Sequence, residues 1–284
     1  MTHIDTLPRT RRLVWTGAGM PASDGAGVKL LRIIGQPALP DLDPFLMLDA
    51  FGSDDPKAYI AGFPSHPHRG FETVTYMLAG RMRHCDNAGN EGLLGPGSVQ
   101  WMTAGRGIVH SEMPEQAEGL MQGFQLWVNL PAKDKLVPPR YQDIPADRVP
   151  EVDLGHGARA KVLAGEIGGV RGPVDPGATR PIFIDLTLAA GGEARIALPD
   201  GHNGFVYVFE GEADVGEPGE RLTAGRIGVL SPDGDVVLGS KTGGRLILVA
   251  GKPLREPVAK HGPFVMNTQA ELVQAFEDFR AGRF

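Results

Sequence analysis

The sequence predicts an all-β protein built from two antiparallel β-barrels, with one short α-helix at its C-terminal end. The 284 residues include 40 glycines and 24 prolines, while 42% of the residues are hydrophobic. Frequent turn-forming residues between short apolar segments are typical of strands joined by tight turns, and the apolar fraction is too high for a disordered chain. At about 100–200 residues per domain, this length favours two domains.

Strand-like apolar runs follow one another in the first half of the chain, separated by turn signals such as Ala79-Gly80. Two strands flank a proline-rich bend within residues 28–51, and residues 52–67 have the composition of a loop. Further strands are predicted at residues 72–78, 81–85, 98–102, 108–112 and 124–130. Short strands at this spacing predict a sandwich or a barrel.

The second half of the chain repeats this pattern after a linker, predicted at residues 132–150, which contain four prolines. The segments that surround Gly80 and Gly211 have similar strand and turn order, about 130 residues apart, which indicates a duplicated barrel. Strands are predicted at residues 161–163, 182–188, 194–197, 205–210, 227–230, 236–238 and 246–250. The predicted domains are therefore residues 1–131 and 151–260, followed by a tail and helix at 261–284.

The last segment carries the signals of a helix that packs against a barrel. Thr268 and Glu271 have the spacing of a capping box, in which each residue caps the other's backbone. The apolar residues that follow fall on one helical face. We expect this face to be buried, and it consists of Leu272, Val273, Phe276 and Phe279.

Charge and composition exclude several classes of protein. The chain has 28 basic and 34 acidic residues, a net charge of −6, which disfavours direct binding of nucleic acid. Cys85 is the single cysteine, so no intramolecular disulfide is possible. Residues 1–17 lack the apolar core of a secretory signal, and no run of about 18 apolar residues predicts a membrane span. We therefore expect a cytoplasmic protein without membrane contacts.

Two short motifs could carry metal chemistry. His66-Pro67-His68 places two imidazoles at positions i and i+2, which face the same side of a strand. His110-Ser111-Glu112 repeats this spacing with a carboxylate, 44 residues further along the same predicted domain. Neutral imidazole is the commonest ligand of borderline metals, so the conjunction predicts a metal site. Glu72 has the same strand parity as the first pair, and this argument leaves it open as a ligand.

Longer segments of the chain resemble the pirin family. They are HPHRGFETVTY at 66–76, MTAGRGIVHSE at 102–112, FQLWVNL at 124–130, DPFLMLD at 43–49 and GPFVMN at 262–267. The resemblance implies a bicupin, in which two antiparallel barrels of the cupin superfamily pack face to face and only the N-terminal barrel binds metal. It also implies that one iron ion, or another divalent metal such as Mn, Co, Ni or Cu, is held by His66, His68, His110 and Glu112.

The resemblance to pirins also implies an activity. It is the quercetinase-type (flavonol 2,4-dioxygenase) reaction, which opens the flavonol ring with loss of carbon monoxide, and Glu112 could act in it as a base. A flat apolar substrate needs apolar pocket walls, for which Phe71, Phe124 and Trp127 are candidates. The alternative is a non-catalytic, redox-sensing metal protein that binds a protein partner, as a transcriptional or metabolic regulator. We expect a monomer in either case.

Several remaining residues are predicted to have only structural roles. His202 stands without a second histidine at His-x-His spacing, so the C-terminal barrel is expected to be free of metal. On the strand at 81–85, we expect His84 to be exposed and Cys85 to be buried. Arg9, Arg11 and Arg12 are expected to form a solvated cluster near the N-terminus.

Overall fold

The structure is a computed structural model that describes residues 9–175 and 177–284. Part of the segment in which the sequence predicts no secretory signal, residues 1–8, lies outside the described residues. Within the described part of the chain, no helix is both long enough and apolar enough to cross a membrane.

Short antiparallel strands make up most of the described chain, in agreement with the all-β prediction. In the first half they are β1 (Leu13–Ala18), β2 (Met20–Asp24), β3 (Val28–Ile34), β4 (Phe45–Ser53), β5 (Phe63–His68), β6 (Phe71–Ala79), β7 (Met82–Asp86), β8 (Glu91–Leu94), β9 (Val99–Thr103), β10 (Ile108–Pro114), β11 (Met121–Asn129) and β12 (Arg140–Ile144).

The later strands and the helices complete the secondary structure. The strands are β13 (Glu151–Gly155), β14 (Ala158–Ala164), β15 (Glu166–Ile167), β16 (Val170–Arg171), β17 (Ile182–Leu188), β18 (Gly192–Ile196), β19 (Asn203–Val215), β20 (Glu220–Thr223), β21 (Arg226–Leu230), β22 (Val236–Ser240), β23 (Gly244–Gly251), β24 (Ala259–His261) and β25 (Phe264–Met266). The α-helix is α1 (Gln269–Arg280), and the short 3-10 helices are Pro56–Ala58, Ala132–Asp134 and Ala146–Arg148.

The chain divides into two compact units, and each terminal segment belongs to the unit formed by the other half of the chain. The N-unit comprises Met20–Arg148 and Leu254–Phe284, and the C-unit comprises Val149–Pro253 together with the described residues up to Gly19. Strand β1 accordingly pairs with β21 of the C-unit, and α1 belongs to the N-unit. The division predicted from the sequence follows chain order and does not contain this exchange, because the pairing of distant strands leaves no local signal.

The N-unit contains two larger sheets. A seven-stranded sheet has the order β12-β9-β6-β11-β4-β3-β2, and a four-stranded sheet has the order β5-β10-β7-β8. One buried cluster contains side chains from both sheets, including Phe51 and Met77 from the first and Met82 and Leu94 from the second. Burial of these apolar groups holds the two sheets together as the walls of one barrel.

The C-unit is formed around the long strand β19. Its first part pairs with β21 and β23, and its last part pairs with β20 and β22, so that one strand joins both sides of the unit. The remaining strands extend this sheet through β23-β17-β14-β13. The largest buried cluster of the unit consists of valine, leucine, isoleucine and alanine side chains.

Helix α1 confirms the predicted cap but buries a narrower face. Thr268 Oγ1 accepts a hydrogen bond from the Glu271 backbone, and the Glu271 carboxylate accepts one from the Thr268 backbone. The buried side chains are Leu272 and Ala275, with Phe276 packed beside them. The prediction is wrong for Phe279, which is 38% exposed, and for Val273, which is 58% exposed. One residue of helix turns the side chain by about 100°, which carries it away from the face that Leu272 begins.

The expectation of a solvated arginine cluster is wrong for Arg11. Its side chain is buried in the C-unit, where the guanidinium donates hydrogen bonds to four backbone carbonyls at 2.8–2.9 Å. These carbonyls belong to Pro199, His202, Ser231 and Gly234. Buried carbonyls at the ends of turns need donors, and Arg11 supplies several from one side chain.

Candidate metal centre

The two histidine motifs meet on neighbouring strands of the four-stranded sheet. His66 and His68 lie on β5, and His110 lies on β10, which pairs antiparallel with β5. His110 stands directly opposite His66 in the register of this pair. Because side chains alternate along a strand, the same register that pairs these residues brings all three imidazoles to one face of the sheet.

The three imidazoles form a compact cluster. Each residue contributes one ring nitrogen, and these nitrogens all lie within 4.8 Å of one another. The Nε2 atoms of His66 and His68 are 3.0 Å apart, and the ring of His110 lies 4.4 Å and 4.9 Å from their rings, measured between centroids. His68 and His110 are buried, whereas His66 is partly exposed.

The protonation of the cluster suits a metal ligand set. Burial lowers the pKa of the His68 and His110 imidazoles well below the ordinary value, so that both are neutral near pH 7. His66 Nδ1 lies 2.8 Å from the Pro64 carbonyl and donates a hydrogen bond to it, which orients the ring. His110 Nε2 is buried and has no hydrogen-bond partner among the described residues. Neutral imidazoles with free nitrogen lone pairs fit a divalent transition metal.

Glu112, the fourth predicted ligand, is buried beside the cluster but not within it. Its Oε1 lies 3.0 Å from Thr75 Oγ1, and its Oε2 accepts a hydrogen bond of 3.4 Å from Gln125 Nε2. Thr75 Oγ1 also lies 2.6 Å from Gln125 Oε1, and since a hydroxyl has one proton, it donates to one of these oxygens at a time. The structure therefore brings three of the four predicted ligands together, and the role of Glu112 stays a prediction.

Glu72, which strand parity left open, lies elsewhere. The left-handed Gly70, with φ of 88°, separates β5 from β6, and Glu72 belongs to β6 in the other sheet. Its Oε1 accepts a hydrogen bond of 2.7 Å from Thr103 Oγ1. Glu72 is neither part of the histidine cluster nor among the residues that line the adjacent cavity.

The cluster opens onto a cavity of about 810 Å³ within the N-unit. Besides His66, His68 and Glu112, the wall includes Met47, Phe51, Phe63, Gln125, Trp127, Lys260, His261 and Pro263. The last three residues belong to the hairpin formed by β24 and β25, which the sequence did not associate with the site. A signal for Gln125 was present, because it shares strand parity with Trp127 and is polar within an apolar strand.

The structure corrects the predicted aromatic walls. Trp127 lines the cavity, whereas Phe71 and Phe124 do not. Phe124 lies on β11 at odd spacing from Trp127, so its side chain points to the opposite face of the sheet. Phe71 is buried behind the cavity, where its ring packs against Trp127 and His68 at centroid distances of 4.3 Å and 5.1 Å.

The predictions that His84 is exposed and Cys85 is buried are wrong. His84 is buried and Cys85 is partly exposed. In the pairing of β7 with β10, His84 stands opposite Glu112, so its side chain shares the interior face of the sheet. Its Nδ1 lies 3.4 Å from His110 Nδ1, and its ring packs against Tyr141. Alternation along the strand was predicted correctly, but not which of its faces points inward.

The barrel folds and the histidine cluster define the class, a protein of two cupin domains with a candidate metal centre in one of them. Residues 27–128 match the family model described as Pirin, and residues 183–284 match the model described as the Pirin C-terminal cupin domain. The chain belongs to the pirin family.

Similar proteins cover nearly the whole chain. A Pseudomonas aeruginosa protein provisionally named a quercetin 2,3-dioxygenase is 52% identical, over 97% of this chain and 99% of its own. Human Pirin is 41% identical, over 91% of this chain and 88% of its own. A crystal structure of quercetin 2,3-dioxygenase from Acinetobacter baumannii has a TM-score of 0.90 at 34% identity, over 97% of this chain and 99% of that one.

Proposed function

We propose that this protein is a metal-dependent dioxygenase of the quercetin 2,3-dioxygenase type, which opens the ring of a flavonol and releases carbon monoxide. The observation that carries the proposal is the cluster of His66, His68 and His110, of which His66 and His68 line a large cavity. The names of the similar Pseudomonas and Acinetobacter proteins support the same reaction.

The proposed ligands of the metal are His66, His68, His110 and Glu112, and the proposed metal is iron, with Mn, Co, Ni and Cu as alternatives. When bound, such a metal supplies a positive charge and coordination positions for an enolate or phenolate oxygen. The three histidines are held on adjacent strands of one sheet, so little rearrangement is needed for their nitrogens to converge.

We propose a second role for Glu112, as a general base when its carboxylate is not bound to the metal. Glu112 lines the same cavity as His66 and His68, and its carboxylate is held by Thr75 and Gln125. In the proposed reaction it takes the proton of the flavonol hydroxyl, which leaves an electron-rich enolate that reacts with dioxygen. Both atoms of dioxygen enter the ring-opened product, the ring carbon that carried the hydroxyl leaves with its oxygen as carbon monoxide, and the proton held by Glu112 passes to the new carboxylate of the product.

The cavity suits a flat aromatic molecule. Its volume of about 810 Å³ lies within the range of roughly 300–1,000 Å³ that holds drug-sized ligands. Trp127, Phe51 and Met47 supply apolar surface, whereas Lys260 and Gln125 supply polar groups that can orient hydroxyls. In the proposed complex, these side chains would hold the substrate beside the histidine cluster and exclude water from its reacting ring.

The test is aerobic turnover of quercetin by protein loaded separately with each of the five metals. We expect loss of the flavonol absorbance together with release of carbon monoxide, and loss of both in His110→Ala. His156→Asn removes a histidine from an exposed turn of the C-unit and serves as the matched control. Asparagine tolerates the left-handed backbone at this position, so the control should keep full activity.

Absence of turnover with every metal would overturn the dioxygenase proposal. If such protein still binds metal through His110, the alternative of a redox-sensing protein that captures a protein partner gains support. Comparison of the oxidised and reduced metal-loaded forms in a binding assay with that partner would then be the next measurement.

A further inference from the structure

A second cavity, of about 610 Å³, lies within the C-unit and has no part in the proposed reaction. It is bounded by the β15–β16 hairpin, by the segment that precedes β17 and by the segment that precedes β19. Its apolar wall consists of Val174, Pro181, Ile182, Ala197, Leu198 and Pro199. Its polar side chains are Glu166, Arg171, Arg180 and His202.

His202 is a buried polar residue in the wall of this cavity. The residue is only 6% exposed, and its backbone carbonyl accepts a hydrogen bond of 2.8 Å from the buried Arg11 guanidinium. Its Nδ1 is buried without a hydrogen-bond partner among the described residues. An unpaired ring nitrogen in such a position is unfavourable unless a ligand group meets it.

Two guanidinium groups line the same cavity. Neither Arg171 nor Arg180 forms an ion pair or a side-chain hydrogen bond within the described part of the chain. Arg180 has φ of 44°, a left-handed conformation that residues other than glycine seldom adopt, directly before Pro181. The carboxylate of Glu166 is the acidic group among the lining residues, so the described wall carries an excess of positive charge.

The lowered pKa of His202 is consistent with the excess of positive charge around the cavity. Burial, together with the positive charges of Arg11, Arg180 and Lys252, lowers the pKa of the His202 imidazole. The imidazole is therefore neutral near pH 7, with one ring nitrogen that can donate a hydrogen bond and one that can accept.

We propose that this cavity binds a small organic carboxylate with an apolar body. The guanidinium groups of Arg171 and Arg180 bind the carboxylate, since their planar forks match its two oxygens. His202 lies in the same wall, and a ligand group that reaches its buried Nδ1 would satisfy the unpaired nitrogen. The apolar body packs against Ile182 and Leu198, and this distinguishes the ligand from a simple inorganic anion.

The first test is calorimetric titration of the full-length protein with benzoate, which combines a ring with a carboxylate. We expect saturable binding at one site, with a Kd between about 10 µM and 1 mM. Benzamide has the same ring without the charge, and inorganic phosphate has the charge without the ring. Both should bind at least about tenfold more weakly than benzoate.

Variants locate the binding. Arg171→Gln and Arg180→Gln should each weaken benzoate binding at least about tenfold, as expected for a lost charge-assisted hydrogen bond. Arg159→Gln makes the same charge change on the exposed surface of β14, outside the cavity, and should leave binding unchanged. His110→Ala should also leave it unchanged, because the candidate metal centre lies in the other unit.

A second readout reports on His202 directly. In protein labelled with ¹⁵N in its histidines, benzoate should shift the ring signals of His202, which His202→Gln identifies by their disappearance. The proposal is overturned if benzoate does not bind by about 10 mM, if phosphate binds more tightly than benzoate, or if Arg159→Gln weakens binding as much as the cavity variants. It is equally overturned if His110→Ala abolishes binding or the His202 signals do not move.

Discussion

The ammonium group of Lys135 donates a hydrogen bond of 2.8 Å to the carbonyl of Gly70, 65 residues earlier in the chain. The same group donates to Asn129 Oδ1 at 2.7 Å and to the Val265 carbonyl at 3.0 Å, and its side chain is only 1% exposed. One buried cation thus joins the turn after the histidine pair to the β24–β25 hairpin that lines the cavity. The contact therefore joins two segments that lie next to residues of the candidate site.

We predict that Lys135→Met lowers the free energy of unfolding by about 3 kcal/mol. The substitution keeps a side chain of similar length but leaves three buried acceptors without their shared donor. Denaturant unfolding measures the effect, with Lys133→Met as a control, since Lys133 is exposed and close in the chain. Equal stability of the two variants would show that the three hydrogen bonds contribute little.

The same lysine should give the stability a characteristic dependence on pH. Burial lowers the pKa of Lys135 to about 8, whereas the unfolded chain has a lysine pKa of about 10.4. Between these values the unfolded state binds more protons than the folded state, so stability rises with pH in this window. This pH-dependent part of the stability, which arises from the difference between the two lysine pKa values, is complete above the unfolded pKa. It is lost as pH falls through about 8.

Denaturant unfolding at several pH values between about 8 and 10 tests this linkage. The difference in free energy of unfolding between the wild type and Lys135→Met should increase with pH, by at most about 1.4 kcal/mol per unit. A difference that stays constant or decreases across this range would contradict a lowered lysine pKa.

Gly70 should be intolerant of any side chain. A Cβ atom at this position would lie 2.0 Å from the Val265 carbonyl oxygen, and the residue has φ of 88°. Gly89 has the same φ but no atom within 4 Å of its Cβ position. Gly89→Ala therefore measures the backbone cost alone, about 1–2 kcal/mol, and Gly70→Ala should cost clearly more. Thermal unfolding compares the stability of the two variants. If both lose the same stability, the close approach of the Cβ atom to Val265 is not the cause.

Arg11 should stabilise the C-unit through its four carbonyl contacts. Arg11→Met leaves these buried acceptors unpaired, and we expect a loss of about 3 kcal/mol or more in the free energy of unfolding. Arg12→Met changes the neighbouring exposed arginine and should cost less than about 0.5 kcal/mol. Chemical denaturation distinguishes the two variants, and a small effect of Arg11→Met would mean that water replaces the guanidinium.

Local sequence patterns predicted those features that are determined by residues close together in the chain. The i, i+2 spacing placed His66 and His68 on one face, and the capping box at Thr268 was confirmed. Periodicity could not predict that His84 faces inward, because alternation relates residues to one another and not to the core. Lys260 was missed for another reason, since the long-range contacts that bring its hairpin to the cavity have no signature in nearby residues.

Glu112 and Glu72, two of the buried carboxylates, provide the sharpest test of the candidate metal centre. Glu112→Gln should lower the affinity for a divalent metal at least about tenfold, because it removes a negative charge beside the histidine cluster. Glu72→Gln makes the same change in the neighbouring sheet, where the carboxylate accepts a hydrogen bond from Thr103, and should leave the affinity unchanged. Titration of metal-free protein in competition with a chelator measures both constants. If Glu72→Gln loses the metal and Glu112→Gln retains it, the proposed ligand set is wrong.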